Sequence, residues 1–218
     1  NLEWSKSEIF VPKTAGMNAV IEAVPSTTYY FRYPWTAGSF GSESASYTTD
    51  DRPTAPVYTI DFINETTKEN VLATIEYGFS DAYGSTGAGA PVGLTPGATP
   101  KTLYARVKAV AGVAGNYTGE EFQLPIPIRP EAVELGINYF GETTADPYDA
   151  TYEYHFGTDA YAPCGGAEIE LNPGVAEKTL YVRKKAAEDV NFRGFESSVT
   201  VDARPAAPAA HTIDYVAE

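Results

Sequence analysis

A chain of 218 residues has room for one large domain or for two to three small ones, and its 43% of aliphatic, aromatic and Cys residues can fill a packed core. The 15 Lys and Arg against 29 Asp and Glu give a net charge of −14, which repels phosphate backbones and anionic bilayers and argues against nucleic-acid or membrane-surface partners. One Cys, Cys164, and two widely separated His, His155 and His211, leave no disulfide framework, no Cys-based zinc site and little material for nucleophile–histidine chemistry.

Sixteen Tyr, 10 Phe, 19 Gly and 16 Pro point to short strands punctuated by turns, and no segment carries a sustained helical period. No apolar run approaches the length of a membrane span. The chain opens at Asn1 without an initiator Met or a signal-peptide pattern, so it is expected to be a processed product or an excised piece.

In chain order, residues 1–51 open with Leu2-Glu3-Trp4, and Val24-Pro25 then leads to Thr28-Tyr29-Tyr30-Phe31-Arg32. Arg52-Pro53-Thr54-Ala55-Pro56 follows, then a predicted strand at 57–63 with Thr59-Ile60-Asp61-Phe62, and another at 71–79 with Ile75-Glu76-Tyr77. A short strand is predicted at 90–94, ending in the Leu94-Thr95-Pro96-Gly97 turn. The strand predicted over 102–110 puts Leu103, Ala105 and Val107 on one face and Tyr104, Arg106 and Lys108 on the other. A last strand is expected at 121–128.

The same blocks then return. Arg129-Pro130 and Arg204-Pro205 repeat Arg52-Pro53, and Ile137-Asn138-Tyr139 and Ile213-Asp214-Tyr215 repeat Ile60-Asp61-Phe62. Tyr152-Glu153-Tyr154 repeats Ile75-Glu76-Tyr77, and Leu171-Asn172-Pro173-Gly174 leads to Lys178-Thr179-Leu180-Tyr181-Val182-Arg183. Order and spacing agree, so this is an array of one repeating unit. Five or six strands per copy predict an all-β protein of small antiparallel sandwiches in a row. The organisation read from the blocks is 1–51, the C-terminal part of a repeat and an incomplete sandwich; 52–128 and 129–203, complete sandwiches; and 204–218, a linker with the first strand of a further repeat.

The Leu-x-Pro-Gly turn followed by Tyr, Arg and alternating small apolar residues resembles the fibronectin type III pattern. Leu94, Pro96, Gly97, Tyr104, Arg106 and Val107 carry it, and Leu171, Pro173, Gly174, Tyr181 and Arg183 carry it again. With its Arg-Pro linkers the array is similar to the Ig-like tandem repeats of large bacterial cell-surface proteins. The resemblance implies that Tyr30, Tyr104 and Tyr181 are structural corner residues, with the ring in the core and the hydroxyl on a backbone group. It also implies an extracellular, non-enzymatic role as stalk, adhesin or filament subunit. Arg32, Arg106 and Arg183 are expected to pair with cross-strand acids such as Glu76 or Glu153.

Three further readings follow from residue types. Tyr83 and Tyr161 recur in phase with Phe10, and as exposed rings they would stack on a sugar; the alternative function is a carbohydrate-binding accessory module of a larger surface enzyme. No cofactor is expected, apart from a calcium site weighed at Asp50 and Asp51, where carboxylates gather before a linker. Thr212, Ile213, Asp214 and Tyr215 match the opening strand of the second copy, which makes them a candidate donor strand for the incomplete 1–51 segment of a neighbouring molecule. The expected partners are therefore other copies of the chain or neighbouring repeats of the same polypeptide, with glycan as the alternative.

Overall fold

The structure is a computed structural model that describes residues 2–10, 14–15, 23–80, 82–110 and 116–208. Its regular elements are all strands, and each pairing between strands is antiparallel. The first copy contributes β1 (Glu3–Ser5), β2 (Thr14–Ala15), β3 (Thr28–Arg32) and β4 (Ala45–Thr48), ordered β2-β1-β3-β4. The second contributes β5 (Ile60–Asp61), β6 (Thr66–Thr67), β7 (Ile75–Gly78), β8 (Ser85–Thr86), β9 (Lys101–Val107) and β10 (Phe122–Ile126). The third contributes β11 (Ile137–Asn138), β12 (Thr143–Thr144), β13 (Tyr152–Phe156), β14 (Ala162–Pro163), β15 (Lys178–Lys184) and β16 (Ser197–Val201). The sheets β10-β9-β7-β8 and β14-β13-β15-β16 repeat the order of the first. The second and third copies each carry a small hairpin, β5–β6 or β11–β12, that single bridges widen, Thr66 to Gly93 and Thr143 to Glu170, and in the third copy this hairpin forms the other layer.

Side chains alternate across each strand, so in the third copy one face of the four-stranded sheet meets the hairpin layer. In the third copy Leu180, Val182 and Val201 are buried against Tyr148, Ile169 and Leu171, with Tyr152, Tyr154 and Phe156 at the margin. The second copy has its own core around Tyr58, Val71, Ile75, Val92 and Ala105. Tyr148 stands where the second copy has Val71, and its hydroxyl donates to the Glu134 carbonyl at 2.8 Å.

The strands are shorter than their composition predicts. Residues 62 and 63 leave the strand expected over 57–63 because Asp61 turns the chain: its Oδ1 accepts the N–H groups of Ile63 and Asn64 at 3.0 and 2.9 Å. Residues 90–94 form isolated bridges instead of a strand. The Pro-Gly turns that follow hold Thr95 and Asn172 at φ 43°, the same unusual conformation at the same place in both copies.

The corner reading of Tyr30, Tyr104 and Tyr181 is overturned. All three are half-buried, and the fully buried neighbours are Leu103 and Ala105, or Leu180 and Val182. Tyr104 shares its face with Arg106 and Tyr181 with Arg183; a face that carries arginines turns away from the core and takes the tyrosines with it. In the first copy the core position belongs to Tyr29, which is buried and accepts the Val24 N–H on its hydroxyl at 2.9 Å.

Contacts divide the chain into two compact units that do not follow the copy boundaries. One comprises 1–59, 69–92 and 102–124; the other comprises 60–68, 93–101 and 125–218. The hairpin β5–β6 and the Pro-Gly turn of the second copy thus belong with the third copy. The donor-strand residues Thr212, Ile213, Asp214 and Tyr215 lie outside the described residues.

Candidate functional site

Two recurring constellations stand out, one on the outward sheet face and one at the start of each linker. On the outward face the registers Glu3↔Arg32, Glu76↔Arg106 and Glu153↔Arg183 place an acid opposite a base in all three copies. The pairs close at 3.2, 2.5 and 2.7 Å. Each guanidinium also lies over an aromatic ring: Arg32 over Phe10 at 4.0 Å, Arg106 over Tyr83 at 3.8 Å and Arg183 over Tyr161 at 3.5 Å. A planar cation held by a carboxylate on its edge and a ring on its face is locked in two directions.

The Tyr83 hydroxyl donates to Glu121 and the Tyr161 hydroxyl to Glu196. Burial first, and then this bond to a carboxylate, push the Tyr83 hydroxyl up to about 12; the same causes raise Tyr161. One face of each ring is closed by a guanidinium and the hydroxyl is taken by a carboxylate. The third copy extends the row, with His155 stacked on Tyr181 at 4.7 Å and edge-on to Tyr161 at 4.4 Å.

The residues weighed for calcium, Asp50 and Asp51, both bond Ser26. Asp51 accepts the Ser26 hydroxyl, and the Asp50 carbonyl accepts the Ser26 N–H at 3.1 Å, tying the linker back to the first sheet. Among the described residues, no three His, Cys, Asp or Glu side chains gather as metal ligands. Cys164 is buried, and burial pushes its thiol up to about 11, so it holds its proton at neutral pH.

The second constellation is the joint between the second and third copies. Arg129 begins the linker. Its backbone N–H donates to the Gly97 carbonyl of the Pro-Gly turn at 2.8 Å, and Nη2 donates to Glu65 at 2.7 Å, both in the second copy. Nη1 donates to the Arg193 carbonyl at 2.9 Å, in the third. Glu65 sits at φ 57° in the β5–β6 turn, which aims its carboxylate at the linker. Arg193 Nε lies 3.1 Å from the other oxygen of Glu65, an ion-pair distance off the line of a hydrogen bond, and Arg193 Nη2 donates to the Ile63 carbonyl at 2.9 Å. Beside this pair Phe192, fully buried, packs on Phe62 with centroids 4.8 Å apart. Lys68 bonds Asp189 at 2.8 Å across the same joint, a bond that holds the ammonium above its ordinary value.

The other linker arginines repeat parts of this arrangement. Arg52 donates to the Thr118 carbonyl, as Arg129 does to that of Arg193. Arg204 takes the Gly174 carbonyl through its N–H at 2.7 Å and Glu142 through Nη2 at 2.6 Å, as Arg129 takes Gly97 and Glu65. Sequence reasoning singled out the Arg-Pro dipeptides only as copy markers. Their in-phase recurrence with Glu65 and Glu142 was the signal that could have exposed the clamp.

No family model and no curated protein matches the chain. Among solved structures it is similar to the crystal structure of the chicken CNTN1 FN1-FN3 domains. The identity is 12%, over 94% of this chain and 91% of that one, with a TM-score of 0.24. The assignment as an all-β tandem sandwich therefore rests on the strands themselves.

Proposed function

We propose that this chain is a non-enzymatic structural module, a load-bearing spacer of an extracellular stalk, adhesin or filament of the kind built from fibronectin type III-like repeats in bacterial surface proteins. The observation that carries the reading is the Arg129 clamp. A flexible string of sandwiches needs only a polar linker. Here one linker side chain bonds the copy before it and the copy after it, while Phe192 and Phe62 add an apolar seal. A joint so tied resists bending, which is a useful property in a spacer and of no evident use in a loose tether.

Small-angle scattering of the 218-residue chain and of Arg129→Ala tests this. The parent chain is expected to fit a narrower set of arrangements than the variant. The variant should need a broad ensemble while keeping its β-type circular dichroism. Identical profiles would remove the mechanical reading.

A further inference from the structure

The joint around Phe192 has two halves elsewhere that are unmatched among the described residues. The first is a cavity of about 300 Å³ on the third copy, walled by Ile137, Tyr139, Leu171 and Pro173 with the Glu142–Arg204 pair at its rim. These residues are the third copy's counterparts of Ile60, Phe62, Leu94, Pro96, Glu65 and Arg129, a group in which Phe62 packs on Phe192 while Glu65 and Arg129 hold Arg193. The cavity is therefore the socket of the joint, formed again one copy later. Apolar cavities of about 150 Å³ already accept a benzene ring, so this one admits a phenyl group.

The second half is the knob. Gly194 N–H donates to the Lys184 carbonyl at 2.8 Å, one residue past Arg183. In the first copy the same rung is Ser42 N–H to the Tyr33 carbonyl at 3.1 Å, one residue past Arg32. Counting back two residues from each donor gives Phe192 and Phe40. Phe192 is fully buried in a socket; Phe40 is fully exposed, and Tyr33 and Trp35 beside it are largely exposed as well. Monomeric surfaces seldom keep such a cluster of aromatics uncovered.

We infer that the chain associates head to tail with a second copy of itself, Phe40 of one molecule seating in the Ile137–Tyr139–Leu171 socket of the next. This adds a partner and a contact to the spacer reading and does not depend on where the protein resides. The occupant follows from the chain's own joint, where the structurally equivalent Phe192 is fully buried against Phe62, the counterpart of Tyr139. Knob and socket are different patches, so the contact is heterologous and can propagate. Gly41 stands where the joint has Arg193, so Glu142 gains no second cation and the contact is weaker than the internal one.

The test is sedimentation of the 218-residue chain up to about 1 mM, the range in which weak contacts register. The weight-average mass of the parent chain should rise with concentration. Phe40→Ala, which removes an exposed ring, and Tyr139→Ala, which removes a largely exposed socket wall, should each weaken association at least about tenfold. An equimolar mixture of the two variants should form dimers and nothing longer, because it contains one intact knob and one intact socket. A parent chain that stays monomeric overturns the proposal, as does a Phe40→Ala variant that associates like the parent. A third outcome also overturns it: the chain truncated after Pro208 associates and the full chain does not, which would assign the socket to the chain's own last residues.

Discussion

The linker at Arg129 and the linker at Arg204 start from the same chemistry and end in different environments. Both arginines bond a Pro-Gly carbonyl and a Glu in a hairpin turn. Around Arg129 a following copy brings Phe192 and Arg193, and the guanidinium side chain is 16% exposed, its Glu65 partner 18%. Arg204 is 55% exposed and Glu142 39%, with an open cavity beside them. The same sequence motif thus builds a buried lock in one place and a solvated ion pair in the other. Burial by a neighbouring copy, not the motif, sets what the pair contributes, since an exposed ion pair adds little and a dry one is costly to break.

The largest expected effect is at the apolar centre of the closed joint. Phe192→Ala should destabilise the second compact unit by about 3–5 kcal/mol, the range for a fully buried aromatic, as read by denaturant unfolding. A cost below about 1 kcal/mol would mean that the two copies barely touch there. Charge gives the next effect. Glu65→Gln strands two partly buried guanidinium groups and should cost about 1–2 kcal/mol, while Glu142→Gln at the open site should cost less than about 0.5 kcal/mol. Equal costs for the two substitutions would erase the distinction between lock and surface pair.

Smaller effects separate the two faces of the sheet. Tyr29→Phe should cost about 1 kcal/mol through the lost Val24 bond, whereas Tyr104→Phe should stay within about 0.5 kcal/mol because its ring is half-exposed. The smallest effects come from titration. In an alkaline scan followed by tyrosinate absorbance, Tyr83 should ionise near 12 and not near 10, and Glu121→Gln should bring it down. At the acid end, Asp61 is held low chiefly by the Asn64 N–H and Asp149 chiefly by the Thr151 hydroxyl. The unfolded chain then binds their protons more readily than the folded one, so stability from these turns is present above the ordinary value of 3.8 and is lost as pH falls through the lower folded values. Asp149→Ala should flatten that acid limb.

The sequence by itself determined the repeat, the antiparallel strands and the facing of the long strand: Leu103 and Ala105 inward, Tyr104 and Arg106 outward. These depend on a two-residue period and on turn residues, which are local. The pairing of Arg106 with Glu76 and Arg183 with Glu153 was legible for the same reason, since the same acid and base recur in phase in each copy. The corner role of Tyr30, Tyr104 and Tyr181 was misread because the resemblance was followed against that alternation. Tertiary structure alone decided what closes on what. Glu65 and Arg193 are far apart in the chain, and Phe192 and Phe40 occupy one strand-end position with no shared motif, because the loops before it differ in length. Whether such a ring is core or surface depends on whether another copy's socket reaches it, and that is set by packing between copies, which no local pattern encodes.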